Sequence, residues 1–103
     1  MSKKAVLVTG GFDPLHRGHI EYLREAKRLG DILYVGLNSD HWLTRKKGKP
    51  FMDLENRAIV IQSLSVVDEV IIFNDEDDTA NHAIHQALQF YEKVIFANGG
   101  DRI

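Results

Sequence analysis

Short apolar runs alternate along this chain with stretches whose apolar residues recur every three or four positions. Ala5-Val6-Leu7-Val8 is a continuous apolar run followed by glycines, the pattern of a strand buried on both faces. Ile20, Leu23, Ala26, Lys27 and Leu29 follow at helical spacing, and Gly30 stands where a helix would terminate. Ile32-Leu33-Tyr34-Val35-Gly36-Leu37 is a second buried-strand pattern. The first forty residues therefore predict a βαβ unit with a right-handed crossover. Beyond them, Asp53 predicts an N-cap with Leu54, Ala58, Ile61 and Leu64 on the buried side of its helix. Val70-Ile71-Ile72-Phe73 predicts a third strand. Thr79 predicts the opening of a helix reaching about Phe90, with Ala80, Ala83, Ile84, Ala87 and Leu88 buried, and Val94-Ile95-Phe96-Ala97 a fourth strand. Arg45 to Pro50 reads as a basic loop and Asn74 to Asp78 as an acidic one. Strands alternating with helices predict an α/β fold with a parallel sheet. No repeat, low-complexity tract or linker divides residues 1–103, so one domain is expected.

Composition narrows the class without choosing within it. At 103 residues the chain supports a modest core. The formal net charge of −2 pulls it toward neither nucleic acid nor a membrane surface. The absence of cysteine excludes disulfides and thiolate metal sites. No apolar run is long enough to span a bilayer and no signal pattern opens the chain, so a cytoplasmic protein is expected.

The chemistry concentrates after the first strand, in Thr9-Gly10-Gly11-Phe12-Asp13-Pro14-Leu15-His16-Arg17-Gly18-His19. Ligands of open α/β sheets bind at the carboxyl ends of strands, where this segment lies. Gly10 and Gly11 let backbone N–H groups approach a phosphate, and the following helix turns its N-terminus toward the same space. His16 and His19 can donate ring N–H bonds to a reacting phosphate, and Gly18 between them removes a side chain that would crowd it. Each feature alone is common; together, in a strand–turn–helix context, they predict a nucleotide-phosphate site.

This segment resembles the phosphate-binding signature of the nucleotidyltransferase superfamily, G-x-F-D-x-x-H-x-G-H, and within it glycerol-3-phosphate cytidylyltransferases and heptose-phosphate adenylyltransferase domains. The resemblance implies a Rossmann-like three-layer sandwich. It implies transfer of CMP or AMP from a nucleoside triphosphate, carried with Mg²⁺, to a small phosphorylated alcohol or sugar, with pyrophosphate leaving and no dedicated metal site in the protein. It places Gly10, Gly11, Phe12, Asp13, Gly18 and Asp101 at the nucleotide, Asp13 fixing the loop rather than touching the reacting atoms. It gives His16, His19 and Lys46 to catalysis, and Lys49 and Arg57 to the phosphorylated substrate. A solvated basic loop and an Arg57–carboxylate pair are the plainer readings of these cations. Ser65 to Val70 resembles a dimer-forming segment, so a homodimer is expected; an ordinary turn into a strand would also suit these residues. Asp78-Thr79 resembles the end of the Glu-Asp-Thr stretch of heptose-phosphate enzymes; the acidic run would also suit a helix N-terminus. Trp42 and His41 would cover a ligand or pack peripherally. His82 and His85 read as a solvated helix face.

The family continues past the Gly-Asp turn with a fifth strand and a helix opening on an Ile-Ser-Ser/Thr-Thr-like motif. Here the sequence stops at Ile103, so the domain is expected to lack the last strand and helix and to turn over slowly alone. Cofactor-synthesis adenylyltransferases, acting on nicotinate mononucleotide or phosphopantetheine, share Phe12-Asp13-Pro14. A nucleotide-binding module without turnover is the non-enzymatic alternative.

Overall fold

The computed structural model describes residues 3–97. Its elements are β1 (Lys4–Gly10), α1 (Arg17–Lys27), β2 (Ile32–Leu37), α2 (Asp40–Lys47), α3 (Leu54–Gln62), β3 (Glu69–Ile72), α4 (Asn81–Leu88) and β4 (Lys93–Phe96). All strands run parallel in the order β3-β2-β1-β4. Ala5 lies opposite Ile32, Leu7 opposite Phe96, and Leu37 opposite Ile72.

The central strand divides its side chains between two cores, because successive residues of a strand point to opposite faces. Val6 and Val8 join Leu33, Val35 and Leu37 against Leu23 and Ala26 of α1 and Ile61 of α3. Leu7 and Tyr34 face the other way, onto Phe73 and onto Ala83 and Ala87 of α4. Helices thus cover both faces of the sheet, giving the Rossmann-like three-layer sandwich. The order of strands reverses at β1: β2 and β3 lie on one side and β4 on the other. The carboxyl ends of the strands around this switch point are where such sheets hold ligands.

Most predicted elements are present, with boundaries moved by one or two residues. Asp53 caps α3 by accepting from the Asn56 N–H. Three expectations change. Residues 45–47 are not loop: Ser39 starts α2 by accepting from the Trp42 N–H, and Arg45, Lys46 and Lys47 form its last turn, where cations complement the helix dipole. Gly48 ends α2 at φ 95, a conformation that favours glycine. Gly30 lies in the turn that ends α1, as expected, but its role is close contact with β1: a Cβ there would lie 2.8 Å from the Lys4 carbonyl oxygen and from Val6. Finally, α4 begins at Asn81 with no acidic residue in its first turn, and Leu88 is exposed.

Ser65 to Val70 is the approach to β3. Val66 and Val67 pack on the α1–α3 core, while the Asp68 carboxylate accepts from Lys27 and, at 2.8 Å, from the Leu33 N–H. Among the described residues no helix is long and apolar enough to cross a membrane.

Candidate active site

A cleft of about 370 Å³ opens at the carboxyl ends of the strands, lined by residues 9–13, by His19 and Tyr22 of α1, by Trp42, Lys46 and Lys47 of α2, and by the segment before α4. Its floor is the β1–α1 turn. Phe12 adopts a left-handed backbone, φ 50, unusual for a bulky residue, and its buried ring meets the His19 ring edge-on at 5.1 Å. A Cβ at Gly11 would fall 2.8 Å from the end of the Leu43 side chain, so glycine there lets α2 pack closely over the turn.

The two histidines form the N-terminus of α1 themselves. His16 is the N-cap, and its Nδ1 accepts from the Gly18 N–H at 3.1 Å. His19, three residues on, returns the favour: its Nδ1 accepts from the His16 N–H at 3.2 Å. This is a capping box built from imidazoles in place of the usual serine and glutamate. The rings stack at 3.9 Å. Because each Nδ1 is an acceptor, the proton of each neutral ring resides on Nε2, so both rings present an N–H donor beyond the backbone they cap. Burial first, and then the charge of His16, lower the pKa of His19 from its ordinary value. A neutral, donating His19 is therefore favoured near neutral pH.

This arrangement revises two sequence expectations. The backbone N–H groups of His16, Gly18, His19 and Ile20 are all engaged within the cap and first turn and so are not the free donors expected of the helix terminus; of the two rings, that of His19 lines the cleft. Gly18 does not make room for a ligand: a Cβ there would sit 3.0 Å from the Cε1 of His16, so it makes room for that ring.

Asp13 binds the turn to the α2–α3 connection. Its side chain is almost fully enclosed and accepts from the N–H groups of Phe51 at 2.5 Å and Met52 at 2.6 Å and from Lys47 Nζ at 2.9 Å. Burial alone would raise its pKa; the bonds from Lys47, Phe51 and Met52 outweigh burial and lower it. Lys47 also donates to the Asp13 carbonyl at 2.8 Å. Local sequence does not single out Lys47, since one lysine in a basic run looks like the next. Lys46 lines the cleft with its Nζ 4.7 Å from the centre of the Trp42 ring, a cation–π contact one helical turn apart. Lys49 lies exposed beyond α2 and outside the cleft.

Arg57, expected at the substrate, is fully buried. Its guanidinium donates to the carbonyls of Met52 at 3.0 Å, Gly11 at 3.0 Å and Asn38 at 2.8 Å, and to the Asp40 carboxylate at 2.6 Å. It joins the ends of β1 and β2 to α2 and α3 and has no face toward the cleft. Asp75 serves the same frame from the other side. It is buried and accepts from Asn38 at 3.1 Å and from the backbone and hydroxyl of Ser39 at 2.8 Å each. Burial opposes ionisation of Asp75, but these bonds lower its pKa overall. Neither role shows in local sequence, because the partners are remote along the chain. Asp101 lies outside the described residues.

Residues 7–102 match the family model described as cytidylyltransferase-like. The chain is 49% identical over 101 residues to the bifunctional protein HldE of Helicobacter pylori (strain HPAG1), covering 96% of this chain and 20% of that protein. It is 40% identical over 101 residues to the HldE of Wolinella succinogenes, with the same coverage. The crystal structure of the lipopolysaccharide core biosynthesis protein from Thermoplasma volcanium GSS1 superposes with a TM-score of 0.71 at 28% identity, covering 91% of this chain and 95% of that one. The chain thus spans about a fifth of the length of its curated relatives. The strand order, the imidazole cap at the switch point and the match over nearly its whole length agree: this chain belongs to the cytidylyltransferase-like family.

Proposed function

We propose that the chain transfers AMP from ATP to a heptose phosphate. An acceptor phosphate oxygen forms a bond to the α-phosphorus, the bond from that phosphorus to the bridging oxygen breaks, and its electron pair leaves on pyrophosphate. The observation that carries this reading is the stacked His16–His19 pair with both Nδ1 atoms held by backbone. Two preset Nε2–H donors suit a phosphate whose charge grows during in-line transfer, and donors fixed in advance need no reorganisation. Lys46, at the cleft wall, supplies a mobile positive charge. Mg²⁺ would come bound to the triphosphate; Asp13, beside the cleft, is already committed to Lys47, Phe51 and Met52. The resemblance to heptose-phosphate adenylyltransferase domains, including the Asp78-Thr79 segment, supports AMP and a heptose phosphate over CMP and glycerol phosphate.

Pyrophosphate release from the four triphosphates, each paired with a heptose 1-phosphate, glycerol 3-phosphate, nicotinate mononucleotide and phosphopantetheine, tests this. Release with ATP and the heptose phosphate is expected. Release only with a cofactor precursor, or nucleotide binding with no release for any pair, overturns it. We also propose self-association: β3 and β4 are the outer strands among the described residues, and such edges offer unpaired backbone groups. A monomer at high concentration in sedimentation would refute that.

A further inference from the structure

Beside the main cleft lies a shallower hollow of about 340 Å³, lined by Trp42, Arg45, Lys46 and Asp78. Trp42, Lys46 and Asp78 line the main cleft as well, so the two spaces adjoin; Arg45 lines the hollow and not the cleft. We propose that this hollow is the acceptor subsite and that it takes a phosphorylated sugar. The inference rests on the nucleotidyl-transfer reading of the main cleft.

The chemistry of the lining selects the occupant. Two cations stand beside one carboxylate and one indole. An uncharged base laid here would cover Arg45 and Lys46 without pairing them, which is unfavourable. A phosphate pairs with both. A carboxylate next to that phosphate repels a second anion and accepts hydrogen bonds from hydroxyl groups, as a polyol offers. The indole gives the apolar face of a sugar ring something to rest on.

The donors are in place. Arg45 uses only Nη2 in the frame, donating to Asp78 Oδ1 at 2.9 Å and to the Asp75 carbonyl at 3.1 Å. Among the described residues Nε and Nη1 have no such partner and remain available to phosphate oxygens. Asp78 is held in a left-handed conformation, φ 60, with its N–H donating to the Asp75 carbonyl at 3.0 Å and its side chain largely exposed. Aspartate adopts that region readily in a turn, and here it directs the carboxylate toward the junction of the two spaces. The whole floor is fixed through buried Asp75 and Ser39, the residue that caps α2 below Trp42. Lys46, common to both spaces, marks where the acceptor phosphate in the hollow meets the α-phosphate in the cleft.

The test is calorimetric titration of a heptose 1-phosphate, and separately of inorganic phosphate, into the protein saturated with α,β-methylene ATP and Mg²⁺, which cannot transfer. Wild type, Arg45→Gln and Asp78→Asn are compared. Arg45→Gln is expected to weaken both titrants about tenfold, the worth of one charge-assisted bond, while leaving the affinity for the ATP analogue unchanged. Asp78→Asn is expected to weaken the sugar phosphate and not inorganic phosphate. Equal binding of the sugar phosphate by wild type and Arg45→Gln overturns the subsite, as does its failure to bind the analogue-loaded wild type. Loss of analogue affinity in Arg45→Gln would assign the hollow to the nucleoside instead. If the wild type does not bind the analogue at all, the transfer reading itself fails and the subsite with it.

Discussion

Arg57→Met is the substitution that most sharply separates frame from substrate contact. Methionine keeps the length and apolar volume of the arginine stem and removes the guanidinium. Four hydrogen bonds go with it: three to backbone carbonyls of Gly11, Asn38 and Met52 and one to Asp40. Each bond to a charged donor is worth about 1.5–3 kcal/mol, and these are not additive. Asp40 is 42% exposed and also accepts from the Leu54 N–H, so it rehydrates and its share is discounted. The carbonyls near the buried guanidinium carry most of the penalty. We expect a loss of about 3–5 kcal/mol, the range for breaking a buried charged network, out of a total of about 5–15 kcal/mol. With a urea dependence near 1.5 kcal/mol per molar, the unfolding midpoint followed by circular dichroism should fall by roughly 2–3 M. Arg57→Lys should recover little of it, because an ammonium cannot serve a planar set of acceptors. A midpoint within about 0.5 M of wild type, together with lost affinity for a sugar phosphate, would show that Arg57 acts at the substrate and that this reasoning is wrong.

Three other outcomes follow from the same geometry. His16→Asn keeps a strong N-cap for the Gly18 N–H but removes the Nε2–H donor, so the melting temperature should hold within a few degrees while pyrophosphate release falls on the order of a hundredfold; unchanged turnover would remove His16 from the chemistry. The folded state binds a proton at His19 less readily than the unfolded state. The associated stability is therefore full above the ordinary pKa of 6.5 and is lost as pH falls through the lowered value. An NMR titration should place the His19 midpoint below 6.5, and a midpoint above it would contradict the burial argument. Gly30→Ala drives a Cβ into the backbone of β1 and should cost about 1–3 kcal/mol in chemical unfolding. Gly11→Ala meets only the end of the Leu43 side chain and should cost less; equal costs would show that β1 yields as easily as a leucine methyl.

The sheet was legible because a strand covered on both faces must be apolar throughout, and Ala5 to Val8 and Ile32 to Leu37 are. The glycine turn and the histidine pair of the cleft were legible because they fall within one turn and one helix start. The α2 helix was not. Its composition resembles a solvated basic loop, and its start depends on Ser39, which also donates its hydroxyl to Asp75, 36 residues away in sequence. Lys47 was not told apart from Lys46 for a similar reason: only the fold shows that one meets Asp13 and the other Trp42.

The amino-acid order alone determined the alternation of strands and helices, the glycine turn and the imidazole pair, since each depends on residues within a few positions of one another. Tertiary structure alone decided that Gly18 serves a histidine ring, that Asp75 and Arg57 clamp the frame, and that Arg45 and Asp78 meet beside Trp42. Those outcomes depend on hydrogen bonds between segments distant in the chain, and such partners are chosen only when packing brings buried donors and acceptors face to face.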